Sequence, residues 1–454
     1  MLFLGNWRQA VLKMAQDTVP TWTSLKLMGI NKAPEIVYGA GYARQKRELI
    51  GNADDSGAIE ARLLGLVNYA IANVPYYADK YRRPMHSITE FKEEFGFIDR
   101  NIVMSNSGAF WSRHLDKRFF DEGTTGGTSG KPLRLFLPKN RFQKEWAILH
   151  SVWRNVGFDF DVRAVLRNHR FARHKDFLVN PISKEVIFDS FRVDAKYAKA
   201  ISEVMNRHGI SYLHAYPSAA CHLLGEWCKA GIEAPALKAV LAGSETVFDY
   251  QRELVEGRLG IRFYTWYGHS EKLVFAGSCK YSSDYHVEPS YGFFELIDDD
   301  GRAVKTAGKV GEIVGTTIDN FGMPLIRYRT GDFAEYAGDG CHLCGRKVPV
   351  IRNIAGKWIG ERIFNADGSF VTTTALNLHN DLYSVINGIQ YYQPRKGVLF
   401  VNIIKGGGYG AEHEKRLKQH FCDRLTDCAV EINYVDKLVI QKNGKFLQVI
   451  DSLD

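Results

Sequence analysis

The chain has 454 residues, 45% of them hydrophobic, more than one core normally organises, which predicts two or three domains. A formal charge of +8 with acidic residues interspersed suits an anionic small molecule without requiring nucleic acid, and no apolar run approaches a membrane span. Seven cysteines, an odd number, point to a reducing compartment, and Asn6, Arg8 and Gln9 interrupt the apolar start before a signal core could form, so a cytoplasmic location is expected.

Residues 1–120 read as a helical arm. Ile59, Leu63, Leu66, Val67, Ala70 and Val74 share one helix face, which must end before Pro75. Tyr76 and Tyr77 read as packing between helices. At 123–132 the chain changes character, to Gly-Thr-Thr-Gly-Gly-Thr-Ser-Gly-Lys-Pro. The glycines let the backbone approach a ligand closely, and the hydroxyls of Thr125, Thr128 and Ser129 with the Lys131 ammonium supply donors for anionic oxygens. A P-loop would need Gly at 125 and Ser or Thr at 132, where Thr125 and Pro132 stand. Leu133, Leu135 and Leu137 alternate as in a strand, so the loop is expected to join extended segments and to hold phosphate with Gly126, Gly127 and Gly130 at its close approaches. A solvated turn would share this composition.

Phe142, Trp146, Leu149 and Trp153 then repeat at helical spacing, with Gly157 as a stop. Strands are expected at 162–166, 210–215, 237–242 and 261–266, alternating with helices at 197–205, 219–229 and 248–259. This alternation predicts an α/β fold with a mainly parallel sheet flanked by helices. Ligands then belong at the strands' carboxyl ends, where Tyr216-Pro217-Ser218, Gly243-Ser244-Glu245 and Tyr267-Gly268-His269-Ser270-Glu271 fall. Each of these also reads as an ordinary strand-to-helix turn.

From 292 to 336 the texture becomes β, with strands expected at 312–318 and 325–328 as a β subdomain. Asp332, after Gly331, reads as an exposed turn carboxylate able to accept sugar hydroxyls. Beyond about 354 strands at 385–393, 398–404 and 431–434 with a helix at 412–425 predict a small α+β module. The division is therefore 1–354 for a large domain and 355–454 for a small one. Gly406-Gly407-Gly408 reads as a loop tip.

Cys341-His342-Leu343-Cys344 has the spacing that lets two thiolates reach one ion from a tight turn. Cys279 and His286 can complete a closed Cys3His set, which is the pattern of structural zinc. His342 is the alternative nitrogen ligand.

In this order and spacing the motifs resemble the adenylate-forming enzymes, in particular the phenylacetate-CoA ligase-like branch that includes the CapK group of polysaccharide gene clusters. Residues 125–132 resemble the family's phosphate loop, Tyr267 to Glu271 its Tyr-Gly-x-Thr-Glu, Arg329-Thr330-Gly331-Asp332 its Tyr-Arg-Thr-Gly-Asp element, and Gly444-Lys445 its C-terminal glycine-lysine. The Cys-His and Cys-x-x-Cys pairs resemble the same branch. The resemblance implies ATP-dependent activation of a small organic or aromatic carboxylic acid as an acyl-adenylate, then transfer to a thiol, coenzyme A or a carrier protein. It gives Thr128, Ser129 and Lys131 to the phosphates, Glu271 to magnesium, Asp332 to the ribose and Lys445 to the carboxylate and α-phosphate, with Tyr267 against adenine. Gly243, Ser244, Glu245, Gly268 and Ser270 line the same site. The family's hinge, Gly-Arg-x-x-Asp, falls at 356–360, where Lys357 replaces arginine and Gly360 the aspartate. That departure leaves open a zinc-stabilised nucleotide-binding scaffold without turnover.

Overall fold

The computed structural model describes residues 33–51, 56–124, 133–170, 175–245, 247–356, 362–373, 376, 378, 382, 385–439 and 449–451. The described part of the arm is helical as expected, with α1 at Ala40–Gly51 and α2 at Ser56–Asn73. Leu63, Leu66, Val67 and Ala70 of α2 are fully buried with Tyr77 in a core shared with strands from the middle of the chain.

Strands β1 (Phe120–Thr124) and β2 (Arg134–Pro138) form an antiparallel hairpin with Thr124 opposite Arg134. The two extended arms expected around the glycine-rich loop are therefore present. Residues 125–132 themselves lie outside the described residues, as do Lys357 and Lys445. Helix α3 (Arg141–Trp153) follows, and Gly157 closes it at φ 78°.

A single twelve-stranded mixed sheet carries the rest of the first 355 residues. Its strands are β3 (Arg163–Leu166), β4 (Phe177–Asn180), β5 (Glu185–Phe188), β6 (Tyr212–Ala215), β7 (Ala239–Gly243), β8 (Arg262–Gly268), β9 (Phe275–Ser278), β10 (Tyr285–Val287), β11 (Phe293–Ile297), β12 (Val310–Thr316), β13 (Tyr328–Gly338) and β14 (Val350–Ala355). Strands β5, β3, β6, β7 and β8 run parallel in that spatial order. Alternation along each strand splits two cores. Ala164, Leu213, Val240 and Phe263 face helices α4 (Ala195–Arg207) and α5 (Pro217–Ala230), whereas Tyr212, Leu241 and Tyr264 face α3. The β-rich stretch is not a detached subdomain: β9 to β14 continue the same sheet antiparallel, because β9 folds back on β8.

The strand expected at 325–328 begins only at Tyr328, since Arg327 takes φ 49° and leaves the extended region, and then runs eleven residues to Gly338. The C-terminal residues build a second sheet from β17 (Ile386–Arg395), β18 (Val398–Lys405), β19 (Ala429–Tyr434) and β20 (Val449–Asp451), after a short pair β15 (Arg362–Phe364) and β16 (Phe370–Thr372). Helix α6 (Ala411–Cys422) inserts Leu417 and Phe421 into that sheet's own core. No helix among the described residues is long and apolar enough to cross a membrane.

Candidate active site and metal centre

The parallel strands deliver four chain segments to one edge of the sheet. Just beyond β3, Arg167 donates from one guanidinium nitrogen to His214 Nε2 at 2.7 Å and from the other to Ser244 Oγ at 2.9 Å, with its plane over the Tyr216 ring. Ser244 takes φ 73°, a left-handed conformation that costs a non-glycine residue and presents its hydroxyl to Arg167. Glu245 accepts from the Ser218 N–H and hydroxyl, fixing this turn to the start of α5. Gly243 is required by packing, since a Cβ there would lie 2.5 Å from the Trp266 ring.

Sequence reasoning missed Arg167 and His214. A cation one residue past a buried parallel strand was the available signal. Burial, then the charges of Arg167 and Arg163, hold His214 neutral, well below the usual histidine range. Arginine has no acceptor, so Nε2 must offer its lone pair and Nδ1 carries the proton. That Nδ1–H is buried beside Trp153 and Trp266 with no partner among the described residues.

Tyr267 and Asp332, though far apart in sequence, meet where β8 ends. The Tyr267 hydroxyl donates to Asp332 Oδ2 at 2.8 Å. Asp332 is half-buried, not an exposed turn residue, because Thr330, Gly331 and Asp332 bulge out opposite the single residue Ile313 of β12. Thr330 donates to the Ile313 carbonyl at 2.7 Å, and the Gly331 N–H to Glu312 at 2.9 Å, with Arg329 on the same carboxylate. The bulge aims Asp332 at the ligand edge.

Glu271 lies one turn further along, 13% exposed. Burial alone would raise its carboxyl, but hydrogen bonds from His269 and the Tyr328 hydroxyl outweigh burial and hold it at about 2. His269 Nδ1 stands 3.1 Å from one carboxylate oxygen and the Tyr328 hydroxyl 3.0 Å from the other, while His269 Nε2 accepts from the Val274 N–H. Two of about four lone-pair positions are thus used, and an ionised carboxylate keeps the rest for a cation. The turn is locked from behind: Arg141 donates to the Lys272 carbonyl at 2.8 Å and pairs with Asp319 at 2.7 Å, and Lys272 pairs with Glu145 at 2.5 Å. Gly268 closes β8, and Ser270 sits within the same turn.

In the C-terminal part, Arg424, in the turn after α6, donates to Asn168 Oδ1 at 3.3 Å, beside Arg167, while Arg362 of β15 lies over Phe248.

Cys279, His286, Cys341 and Cys344 come together, their ligand atoms all within 4.8 Å of one another. The Cys279 and Cys341 sulfurs are 3.7 Å apart, close to the ~3.8 Å that two ~2.3 Å Zn–S bonds give at a tetrahedral centre. Cys344 Sγ is 3.8 Å from His286 Nε2, and the Tyr281 N–H points at Cys279 Sγ from 3.4 Å. The knuckle turn is closed by the Gly345 N–H on the Cys341 carbonyl, with Gly345 at φ 78°. His286, not the exposed His342, supplies the nitrogen. The four residues join the β9–β10 connection to the β13–β14 connection of the same sheet.

No family model matches the chain. Part of it is 32% identical over 146 residues to phenylacetate-coenzyme A ligase of Thermus thermophilus, covering 31% of this chain and 33% of that protein. It is 35% identical over 124 residues to the enzyme of the same name from Aromatoleum evansii, covering 26% and 28%. The matches thus span about a third or less of the curated relatives. Over nearly the whole chain it superposes on 2-hydroxyisobutyryl-CoA ligase in complex with 2-HIB-AMP and CoA in the thioesterification state, with TM-score 0.58 at 16% identity, covering 90% of this chain and 92% of that one. The postadenylation state of that ligase gives 0.55 at 14%, covering 90% and 91%. The fold is that of 2-hydroxyisobutyryl-CoA ligase. The edge carrying Arg167, Ser244, Tyr267, Glu271 and Asp332 is where the parallel strands end, the default position for a ligand in an open α/β sheet.

Proposed function

We propose that this protein activates a small organic or aromatic carboxylic acid with ATP and transfers it to a thiol, coenzyme A by preference over a carrier protein. The observation that carries this reading is the convergence of Tyr267, Asp332 and the ionised Glu271 at one strand edge. It is supported by the relatives, which are phenylacetate-coenzyme A ligases, and by a structural neighbour whose complexes hold an acyl-AMP and CoA. In the first step a carboxylate oxygen bonds to the α-phosphorus and pyrophosphate departs. In the second a thiolate bonds to the acyl carbon and AMP departs.

Asp332 accepts the ribose hydroxyls, held in place by Tyr267, whose ring borders the adenine. Thr125, Gly126, Gly127, Thr128, Ser129, Gly130 and Lys131 cradle the outer phosphates. Glu271 is the residue to hold magnesium, which supplies charge neutralisation at those phosphates. Lys445 meets the carboxylate and α-phosphate, and Lys357 the hinge. The acid extends towards Trp153, Trp266 and the buried Nδ1–H of His214, which rewards an acid bearing a hydrogen-bond acceptor on its non-reacting end. The Cys3His cluster holds a structural zinc ion.

The altered hinge, with Lys357 for arginine and Gly360 for aspartate, favours a second reading, a nucleotide-binding scaffold without turnover. Pyrophosphate release over a panel of carboxylic acids, followed by thioester formation with coenzyme A, separates the two. Release with one acid and a thioester product supports the ligase, whereas ATP binding without release under any acid supports the scaffold.

A further inference from the structure

Away from the strand edge, helices α1 and α2 and the first turn of α3 enclose a cavity of about 290 Å³. Its polar lining includes Arg44, Gln45 and Glu48 of α1, Arg62 of α2, Asn140 and Lys144 at the start of α3, and Ser290. Three cations thus face one carboxylate. Glu48 lies 4.0 Å from Arg62, the outer limit of an ion pair, and Lys144 shares Asp319 with the closer Arg141. At the floor, Gln45 is 2% and Ser290 7% exposed, and neither Gln45 Nε2 nor Ser290 Oγ has a partner among the described residues.

A buried amide N–H and hydroxyl left without partners are costly unless something fills the space beside them. Water would satisfy the hydrogen bonds and hydrate the exposed Arg44 and half-exposed Arg62, but only an anion would pair with them. The cavity is at the lower end of the size of small-molecule sites, about 300 to 1,000 Å³, and too small for a macromolecular segment. Two guanidinium groups, an ammonium, an amide and a hydroxyl outnumber what the two oxygens of a carboxylate can accept, and match the three or more oxygens of a phosphate. Lys144 is joined to the turn at 269–272 through Asp319 and Arg141, but none of the residues that line the cavity belongs to the candidate nucleotide site.

We propose that this cavity is a second anion site that binds a phosphate group of a small ligand. The ligand is either a free phosphorylated metabolite or a phosphate of coenzyme A, and the chemistry of recognition is shared. The test follows thermal unfolding of the full chain while inorganic phosphate is titrated against sodium chloride of equal ionic strength, since a ligand of the native state alone raises the transition saturably. The expected result is a saturable rise that persists in saturating ATP and magnesium. The apparent dissociation constant should increase at least tenfold in the Arg44→Ala/Arg62→Ala double variant and severalfold in Ser290→Ala. Arg47→Ala, exposed on the same helix but outside the lining, should leave it unchanged. Should the double variant fail to fold, the exposed Arg44→Gln alone carries the comparison. Displacement of phosphate by coenzyme A assigns the group to that molecule, and indifference to coenzyme A assigns it to a free metabolite. No saturable rise, a rise equal in wild type and variants, or a rise abolished by ATP overturns the proposal.

Discussion

The hydroxyl of Tyr267 reaches Asp332 Oδ2 at 2.8 Å, joining the end of a parallel strand to a bulge in an antiparallel one. Burial and the Asp332 carboxylate push the Tyr267 phenol well above its usual range, so it stays a donor at every working pH. One carboxylate oxygen is thereby fixed in orientation.

If Asp332 accepts the ribose hydroxyls, Asp332→Ala weakens ATP binding by about ten- to a hundredfold, the equivalent of the ~1.5–3 kcal/mol typical of hydrogen bonds to a charged group. Tyr267→Phe, which removes only the donor that orients the carboxylate, costs a few-fold. Calorimetric titration with ATP and magnesium measures both. Equal affinity in wild type and Asp332→Ala would place the ribose elsewhere.

Glu271 makes a prediction in pH. Its folded pKa, about 2, lies below the ~4.3 of an unfolded glutamate, so the native state favours the ionised form. The stability this contributes is complete above about pH 4.3 and is lost as pH falls through the folded value near 2. Urea unfolding of wild type and Glu271→Gln should therefore show a wild-type advantage at pH 7 that narrows steadily below pH 4.3. A difference that is constant from pH 7 to pH 3 would mean that the carboxylate gains nothing from His269 and Tyr328.

The Cys3His cluster should yield one zinc ion per chain by metal analysis of purified protein. Because binding free energy at a structural site is folding free energy, stripping the ion with a chelator or replacing Cys341 by serine should lower the unfolding midpoint by several degrees. The loss should be largest in the antiparallel half of the sheet, read by hydrogen exchange in β9, β10, β13 and β14. Folded, metal-free protein indifferent to chelator would remove zinc from the account.

Where one period repeats over several turns, sequence was enough. The 197–205 stripe became α4, and the parallel strands fell within a few residues of their expected places, because each helix or strand there buries one continuous face. The zinc-type cluster was legible for another reason: few residue types ligate such an ion, so spacing alone narrows the choice. Asp332 was singled out but set in the wrong local structure. Its bulge is shaped by Glu312, which takes the Gly331 N–H and Arg329 from a neighbouring strand, and nothing local to Asp332 encodes that. The β4–β5 hairpin was missed because Pro181 and a left-handed Lys184 break a run too short to show alternation. Arg167 and His214 lie still deeper in tertiary structure. Their meaning depends on one guanidinium reaching residues 47 and 77 positions away.

Lys445 decides between ligase and scaffold. It lies between β19 and β20 in the sequence, outside the described residues. A lysine that enters the site only during adenylation stabilises charge moving between the carboxylate and the α-phosphate, and contributes far less to the ground state. Lys445→Ala should therefore keep its fold and most of its ATP affinity, yet lose acyl-adenylate formation by about a hundred- to a thousandfold, the scale of removing one preorganised group at a developing charge. Thioester formation from preformed acyl-adenylate should be largely spared, since a second orientation of the C-terminal sheet would then face the site. Pyrophosphate exchange with an acid that wild type accepts is the measurement. Undiminished exchange in Lys445→Ala would rule out a moving lysine as the adenylation device, and loss of both half-reactions together would mean that the residue holds the module in place and does not act in one step alone.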